Sequence, residues 1–331
     1  MVLSAIASGA ALFWLKPVLL PLALATVIHL SLTPIMDRLI TLLRCPRLVA
    51  VGVVWTLAAG MVPLAFGIGA VAVQSLTVKV QLYQDSLWRL LARVGHIFPL
   101  PTNILEADSL REVLAELPLS DILVGTTNAL LELTSNVVLV MIFLLFLLIG
   151  HRPGRTRPGT LRQVLKSRVR RYLLTKVAVS AATGVLVAIV LAVLRMDLWL
   201  VFGMAAFGLN FIPSIGSIFA TFLPLPMALV NPNFSGTDVA LVMLVPGSIQ
   251  FTIGNVIEPK LMGDSLDLHP VTVLVALIFW GSLWGVVGML LAAPATAVMK
   301  IVLEELEITA PLARIMAGDF GGPPPAPTID P

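Results

Sequence analysis

Charge is what this chain lacks. Of its 331 residues only 12% are Asp, Glu, Lys or Arg, against roughly 25% in an average soluble domain. With 58% of the residues apolar, so few charges cannot cover the outside of a water-soluble fold, and two soluble domains of this combined length are excluded. Cysteine is nearly absent: Cys45 stands alone, so neither an intrachain disulfide nor a cysteine-based metal cluster can form. The chain has no HExxH, CxxC, GxSxG or Walker lysine loop, the constellations that would mark a metalloprotease, a thiol redox centre, a serine hydrolase or a nucleotide-driven machine. A GxGxxA pattern at Gly67, Gly69 and Ala72 sits inside an apolar run, not between a strand and a helix. It reads as close helix packing and not as a dinucleotide site. His29, His96, His151 and His269 are dispersed, so no metal site follows, and no cofactor is implied. The chain is read as a non-enzyme. The opening MVLSAIASGAALFWLKP has no positive n-region, so no cleavable signal is expected. That run stops at Lys16, short of the roughly 20 residues of a full span. Either the first helix is tilted and partly interfacial, or the chain starts late.

What the chain has in quantity is long apolar runs, near 2–15, 17–33, 48–74, 134–150, 176–194, 198–230, 238–257 and 270–299. Mean hydropathy is +1.00. The expected class is an all-α polytopic membrane protein of about eight transmembrane segments, with the lipid bilayer as its main solvent. Pro213, Gly216, Pro224 and Pro226 interrupt the run 198–230, and Gly281, Gly285, Gly288 and Pro294 interrupt 270–299. Each reads as two short helices meeting at a break, either a tight hairpin or a re-entrant pair. Broken backbone at membrane depth survives only where protein or a water-filled cavity satisfies its polar groups.

The scarce charges are unevenly placed, so the net charge of +3 reads as topology, with no nucleic-acid partner. Nine Lys/Arg and no acid fall between 150 and 176, which places that loop on the cytoplasmic side. The segment 75–133 carries four basic and seven acidic residues and should lie outside. There Leu76, Val80, Tyr83, Leu87, Leu90 and Val94 recur at helical spacing, and Ser109 and Glu112 have capping-box spacing. In the basic loop Leu161, Leu165, Val169, Tyr172 and Leu173 share one face, as in a helix lying on an anionic leaflet. The resulting organisation is N-terminal spans 1–74, an extracytoplasmic amphipathic segment 75–133, a transport core 134–317 that includes the basic loop, and a disordered Pro/Gly-rich tail 318–331.

Three stretches pair helix breakers with polar groups near membrane depth: FGLNFIPSIGS at 207–217, GNVIEPKLMGDSLDLHP at 254–270, and FWGSLWGVVGMLLAAP at 279–294. Pro213 has no N–H and restricts the residue before it, Gly216 allows a bend, and Asn210 and Ser214 can answer the freed backbone groups. Glu258, Pro259 and Lys260 follow Asn255, and Asp264, Asp267 and His269 come after them. These charges either mark the membrane surface or form a gate or ion pathway. Gly281, Gly285 and Gly288 lie on a small-residue face, which suits close helix approach or a break in a permeation path. Trp280 and Trp284 read as interface or packing aromatics.

These three stretches, in this order and spacing, resemble the autoinducer-2 exporter family of bacterial permeases. The resemblance covers about residues 10–305. On the matching positions it singles out Asn210, Pro213, Gly216, Asn255, Pro259, Gly263, Pro270, Gly281, Gly285, Gly288 and Pro294. Asp264 departs from the basic or neutral residue expected there, and basic residues expected before the first span are missing. The resemblance implies a multi-pass inner-membrane transporter for a small polar solute or ions. For some members it implies autoinducer-2 export and for others sodium–proton antiport, in homo-oligomers. With no nucleotide-binding loop, transport would run on an ion gradient or on the solute's own gradient. A structural or regulatory membrane protein, its basic helix on lipid and its outer helices on a partner, is the other class the sequence allows.

Overall fold

The computed structural model describes residues 9, 11–12, 14–64, 67–71, 74, 136–151, 161–213, 215–262, 267–304 and 309–319. The outer segment 75–133 with Ser109 and Glu112, the stretch 152–160, Ala72, Ser214, Gly263, Asp264, Glu305, Glu307 and the tail from 320 lie outside the described residues.

The described chain is helical, with no strand among the described residues. In order the helices are α1 (Lys16–Thr41), α2 (Arg47–Val71), α3 (Asn136–Gly150), α4 (Leu161–Val193), α5 (Trp199–Leu209), α6 (Ile215–Phe222), α7 (Leu225–Val230), α8 (Gly236–Met262), α9 (Pro270–Glu304) and α10 (Ala310–Ala317). Among the described residues five stretches are long and apolar enough to cross a membrane: α1, α2, the Ser167–Val193 part of α4, α8 and α9. α3, α5 and the stretch Ile215–Val230 are apolar but shorter. Helices dominate because hydrocarbon offers no partner for backbone N–H and C=O groups, and a helix satisfies them within one segment.

The chain forms two compact units. One comprises 1–31, 152–175 and 260–331, the other 32–151 and 176–259. The second has an apolar core of Val187, Leu191, Met196, Phe202, Ala206, Ala220, Ala228 and Val242. In it α4 and α5 touch backbone to backbone: a Cβ on Gly184 would sit 2.7 Å from the Gly203 carbonyl oxygen, and one on Gly203 would sit 2.6 Å from Ala188 Cβ. In lipid such small-residue contacts replace the hydrophobic drive, because lipid tails are as apolar as the helix surface. Polar ties join the other helices of this unit. Trp55 Nε1 donates to the Met141 carbonyl at 3.0 Å, and His151 Nε2 lies 3.1 Å from Asp37 Oδ1.

The run 198–230 breaks where its prolines and glycine lie, but into three helices, not two. α5 ends at Leu209, α6 begins at Ile215, and Leu223 and Pro224 separate α6 from α7. α8 opens on a capping box: the Asp238 N–H donates to Ser235 Oγ at 3.2 Å, and the Ser235 N–H donates to the Asp238 carboxylate at 2.8 Å.

In the first unit α9 is a hairpin. Its backbone leaves the helical region at Gly285, with φ 65° and ψ −146°. Trp280 Nε1 donates to Thr296 Oγ1 at 3.0 Å. In a straight helix residues 16 apart would be separated by about 24 Å, so the chain has reversed between them. Trp280 and Trp284 pack with ring centroids 5.0 Å apart, and Trp284 Nε1 reaches the Leu12 carbonyl at 3.3 Å. They are packing aromatics.

The basic segment departs from its sequence expectation. Its helix is not a separate element but runs on as one helix, α4, to Val193. Val169, Tyr172 and Leu173 are buried against Ala293, with Val27, Leu30 and Met262 alongside. This part of the apolar face therefore meets protein. An amphipathic pattern reports that one face avoids water, and does not say what covers it.

Candidate functional site

The α5–α6 break shapes a polar site in an otherwise apolar unit. Asn210 follows the last residue of α5. Its N–H completes the helix on the Ala206 carbonyl at 3.0 Å, and its side chain is 3% exposed. Asn210 Nδ2 donates to Ser180 Oγ on α4 at 3.0 Å, which pins the break to a long helix. Pro213 cannot donate, and the chain re-enters a helix where the Gly216 N–H reaches the Ile212 carbonyl at 3.2 Å. Gly216 is required there because a Cβ would run into the Leu209 carbonyl oxygen.

α8 closes the other side. A Cβ on Gly247 would lie 3.3 Å from Thr221 Cγ2, and one on Gly254 would lie 3.9 Å from Ser217 Oγ. At Gly247 the approach of α8 to α6 is tight, and at Gly254 it leaves room for an ordinary contact. Between the elements is a cavity of about 480 Å³, within the roughly 300–1,000 Å³ of small-molecule sites. Its polar lining comes from Lys176 on α4, Asn210 at the break, Ser217 and Thr221 on α6, and Gln250, Asn255 and Glu258 on α8.

The lining on α8 depends on a local change of helix. Residues Ile253–Ile257 form a π-turn, and the Glu258 N–H bonds five residues back to the Ile253 carbonyl. In a regular α-helix Glu258 would stand about 80° around the axis from Gln250. The wider turn absorbs an extra residue and swings Glu258 back toward the same cavity. Insertions of this kind recur at functional sites.

Lys176 Nζ donates to Glu258 Oε1. The lysine side chain is 2% exposed and the carboxylate 18%, so each charge is answered by the other where water is scarce. Asn255 Nδ2 donates to the Phe251 carbonyl of its own helix at 3.0 Å. Thr221 Oγ1 does the same to the Ser217 carbonyl at 2.8 Å. Gln250 is 3% exposed, and neither polar atom of its side chain has a partner.

The candidates named from the sequence thus separate. Asn210, Pro213, Asn255 and Glu258 line this cavity, and Gly216 shapes its wall. Ser214 lies outside the described residues. Pro259 and Lys260 are exposed on the last turn of α8. Asp267 belongs to another cluster: Lys300, wholly buried, donates to Asp267 Oδ2 at 2.5 Å and lies 3.0 Å from Glu304 Oε1. Gly281, Gly285 and Gly288 build the α9 hairpin. A Cβ on Gly281 would lie 3.0 Å from Met289 Cγ, and one on Gly288 would strike the Trp280 carbonyl oxygen.

Four polar cavity residues are not singled out by the sequence: Lys176 is the last of nine basic residues between 150 and 176, and Ser217, Thr221 and Gln250 are polar residues in apolar runs. A lysine opening an apolar run and a glutamine in the middle of another are the signals that point to Lys176 and Gln250. No group of three or more metal-ligating side chains occurs among the described residues.

A family model described as AI-2E family transporter matches residues 2–308. The chain belongs to the AI-2E transporter family. The family expectation drawn from the three C-terminal stretches therefore holds. The chain is similar to the AI-2 transport protein TqsA of Escherichia coli, with 31% identity over 300 residues, 87% of this chain and 86% of that one. A protein of Borreliella burgdorferi named only as a transport protein is 36% identical over 193 residues, 54% of this chain and 53% of its own. A protein of Bacillus subtilis, YrrI, also named as a transport protein, is 33% identical over 132 residues. As an AI-2E family transporter with several apolar helices of spanning length, the chain is a multi-pass protein of the bacterial inner membrane.

Proposed function

We propose that the chain is a secondary permease for a small polar solute, with the cavity between the α5–α6 break and α8 as its solute site. The observation that carries this reading is a polar cavity of about 480 Å³ bounded by helices that are otherwise apolar. It is made by a broken helix and a π-turn, the two devices that free backbone and turn side chains at membrane depth. No ATP-driven step is invoked, and a solute or ion gradient supplies the work. By likeness to TqsA, export of an autoinducer-2-like solute is the specific activity proposed. The loop 150–176 faces the cytoplasm on the strength of its nine basic residues.

No observation favours sodium–proton antiport. The Glu258 charge is answered by Lys176 and the Asp267 charge by Lys300. A purely structural role leaves the polar cavity without a purpose.

The test is flux in proteoliposomes. Asn255→Trp, at an exposed position on the cavity wall, should insert and elute normally yet carry solute at least tenfold more slowly, because the added ring fills the space the solute would cross. Normal flux in that variant would overturn the site assignment.

A further inference from the structure

The cavity contains one fully buried polar side chain that nothing among the described residues answers. The Gln250 amide is buried at 3% exposure, and both its nitrogen and its oxygen lack a hydrogen-bond partner. Buried amides are almost always paired, so an unpaired one facing a cavity marks a place where a visiting group does the pairing. Of the neighbouring polar groups, the half-buried Ser217 hydroxyl is open to the cavity and three others are engaged. Asn210 Nδ2 holds Ser180, Asn255 Nδ2 holds the Phe251 carbonyl, and Thr221 holds the Ser217 carbonyl.

The charges of the wall also cancel. Lys176 and Glu258 form one ion pair, so an entering cation would meet a carboxylate already held by an ammonium, and an entering anion the reverse. Either ion would have to break that pair and leave one buried charge unmatched. An uncharged solute meets no such cost. The free amide presents two donors and one acceptor in a single plane. The common neutral group that is donor and acceptor at once is the hydroxyl, and neighbouring hydroxyls satisfy both ends of an amide. Trading water for hydroxyls on such an amide changes the hydrogen-bond count little, so the solute can bind and also leave.

We propose that Gln250 is the solute-binding residue of the cavity, and that it selects an uncharged, hydroxyl-bearing solute through paired hydrogen bonds to its amide nitrogen and oxygen. This rests on reading the cavity as the transport site, and it names the residue and the solute chemistry that reading leaves open.

The experiment uses the full chain in proteoliposomes, with glycerol, erythritol and xylitol as uncharged probes and sodium and acetate as charged ones. Polyol flux should exceed the protein-free leak, and Gln250→Met should cut it about tenfold, the effect of losing two modest hydrogen bonds. Xylitol should raise the melting temperature of the wild-type protein in detergent but not that of Gln250→Met. Methionine matches glutamine in volume and removes an unpaired polar group, so the variant should fold at least as well. If it does not insert, the isosteric Gln250→Glu gives the same readout, because a carboxylate lacks the donors. Equal polyol flux and stabilisation in wild type and variant would overturn the proposal, as would passage of sodium or acetate with no polyol, and in both cases the permease reading stands. If no probe crosses the wild-type protein above leak, the permease reading falls and the proposal with it.

Discussion

Lys176 and Glu258, 82 positions apart in the chain, are each other's charge partner on the wall of one cavity. The lysine begins the apolar part of α4, and the glutamate sits just past the π-turn of α8. Neither position makes sense alone, since a buried ammonium or carboxylate in an apolar unit is costly without its counterpart.

The pair should show strong coupling. Lys176→Met should destabilise the protein by about 3 kcal/mol, the usual result of leaving one buried charge behind. The double variant Lys176→Met with Glu258→Gln should recover more than half of that loss. Thermal unfolding of the purified protein in detergent, analysed as a double-mutant cycle, measures the coupling. Additive losses would mean the two charges do not depend on one another.

Gly216 and Gly208 flank the same break but face different surroundings. A Cβ on Gly216 strikes the Leu209 carbonyl, whereas one on Gly208 meets nothing within 4 Å. Gly216→Ala should therefore cost roughly 1–3 kcal/mol through overpacking. Gly208→Ala should be neutral or slightly stabilising, since alanine favours the helix. Melting temperatures of the two variants side by side check this.

The α9 hairpin can be locked chemically. A Cβ on Gly281 would lie 3.0 Å from Met289 Cγ, so Gly281→Cys with Met289→Cys, in a Cys45→Ala background, should form a disulfide under mild oxidation. A straight helix would hold these positions about 12 Å apart, beyond disulfide reach. Mass spectrometry after alkylation reads the bond. Gly285→Ala should also cost about 1–3 kcal/mol, because its φ of 65° with ψ of −146° is a region open essentially to glycine.

Asp267 tethers the chain before α9 to the buried Lys300, and does so at a φ of 50°. Its side chain is 53% exposed and Lys300 keeps Glu304, so Asp267→Asn should cost no more than about 1 kcal/mol. Asp267→Val should cost more, since a β-branched residue is poorly accommodated at positive φ. The order of the two melting temperatures is the measurement.

The sequence by itself determined the class and the location of the breaks. Its scarcity of charge required a membrane, and its apolar runs became the helices α1–α9 because lipid leaves backbone groups no other partner. Pro213 and Gly216 mark the α5–α6 break, and Gly285 marks the α9 turn, since the loss of an N–H or a Cβ acts locally on the chain. The same stretches carried the family resemblance. What only the tertiary structure decided was which polar residues meet. Spacing along the chain relates residues on one helix, not on two. Lys176 therefore looked like the end of a basic loop, Asp267 like a neighbour of Glu258, and Gln250 like an isolated polar residue. The tertiary structure joins Lys176 to Glu258, sends Asp267 to Lys300, and leaves the buried Gln250 amide unpaired on the cavity wall. The π-turn at Ile253–Ile257 completes the arrangement by re-aiming Glu258, a change of helical register that no periodicity in the sequence announces.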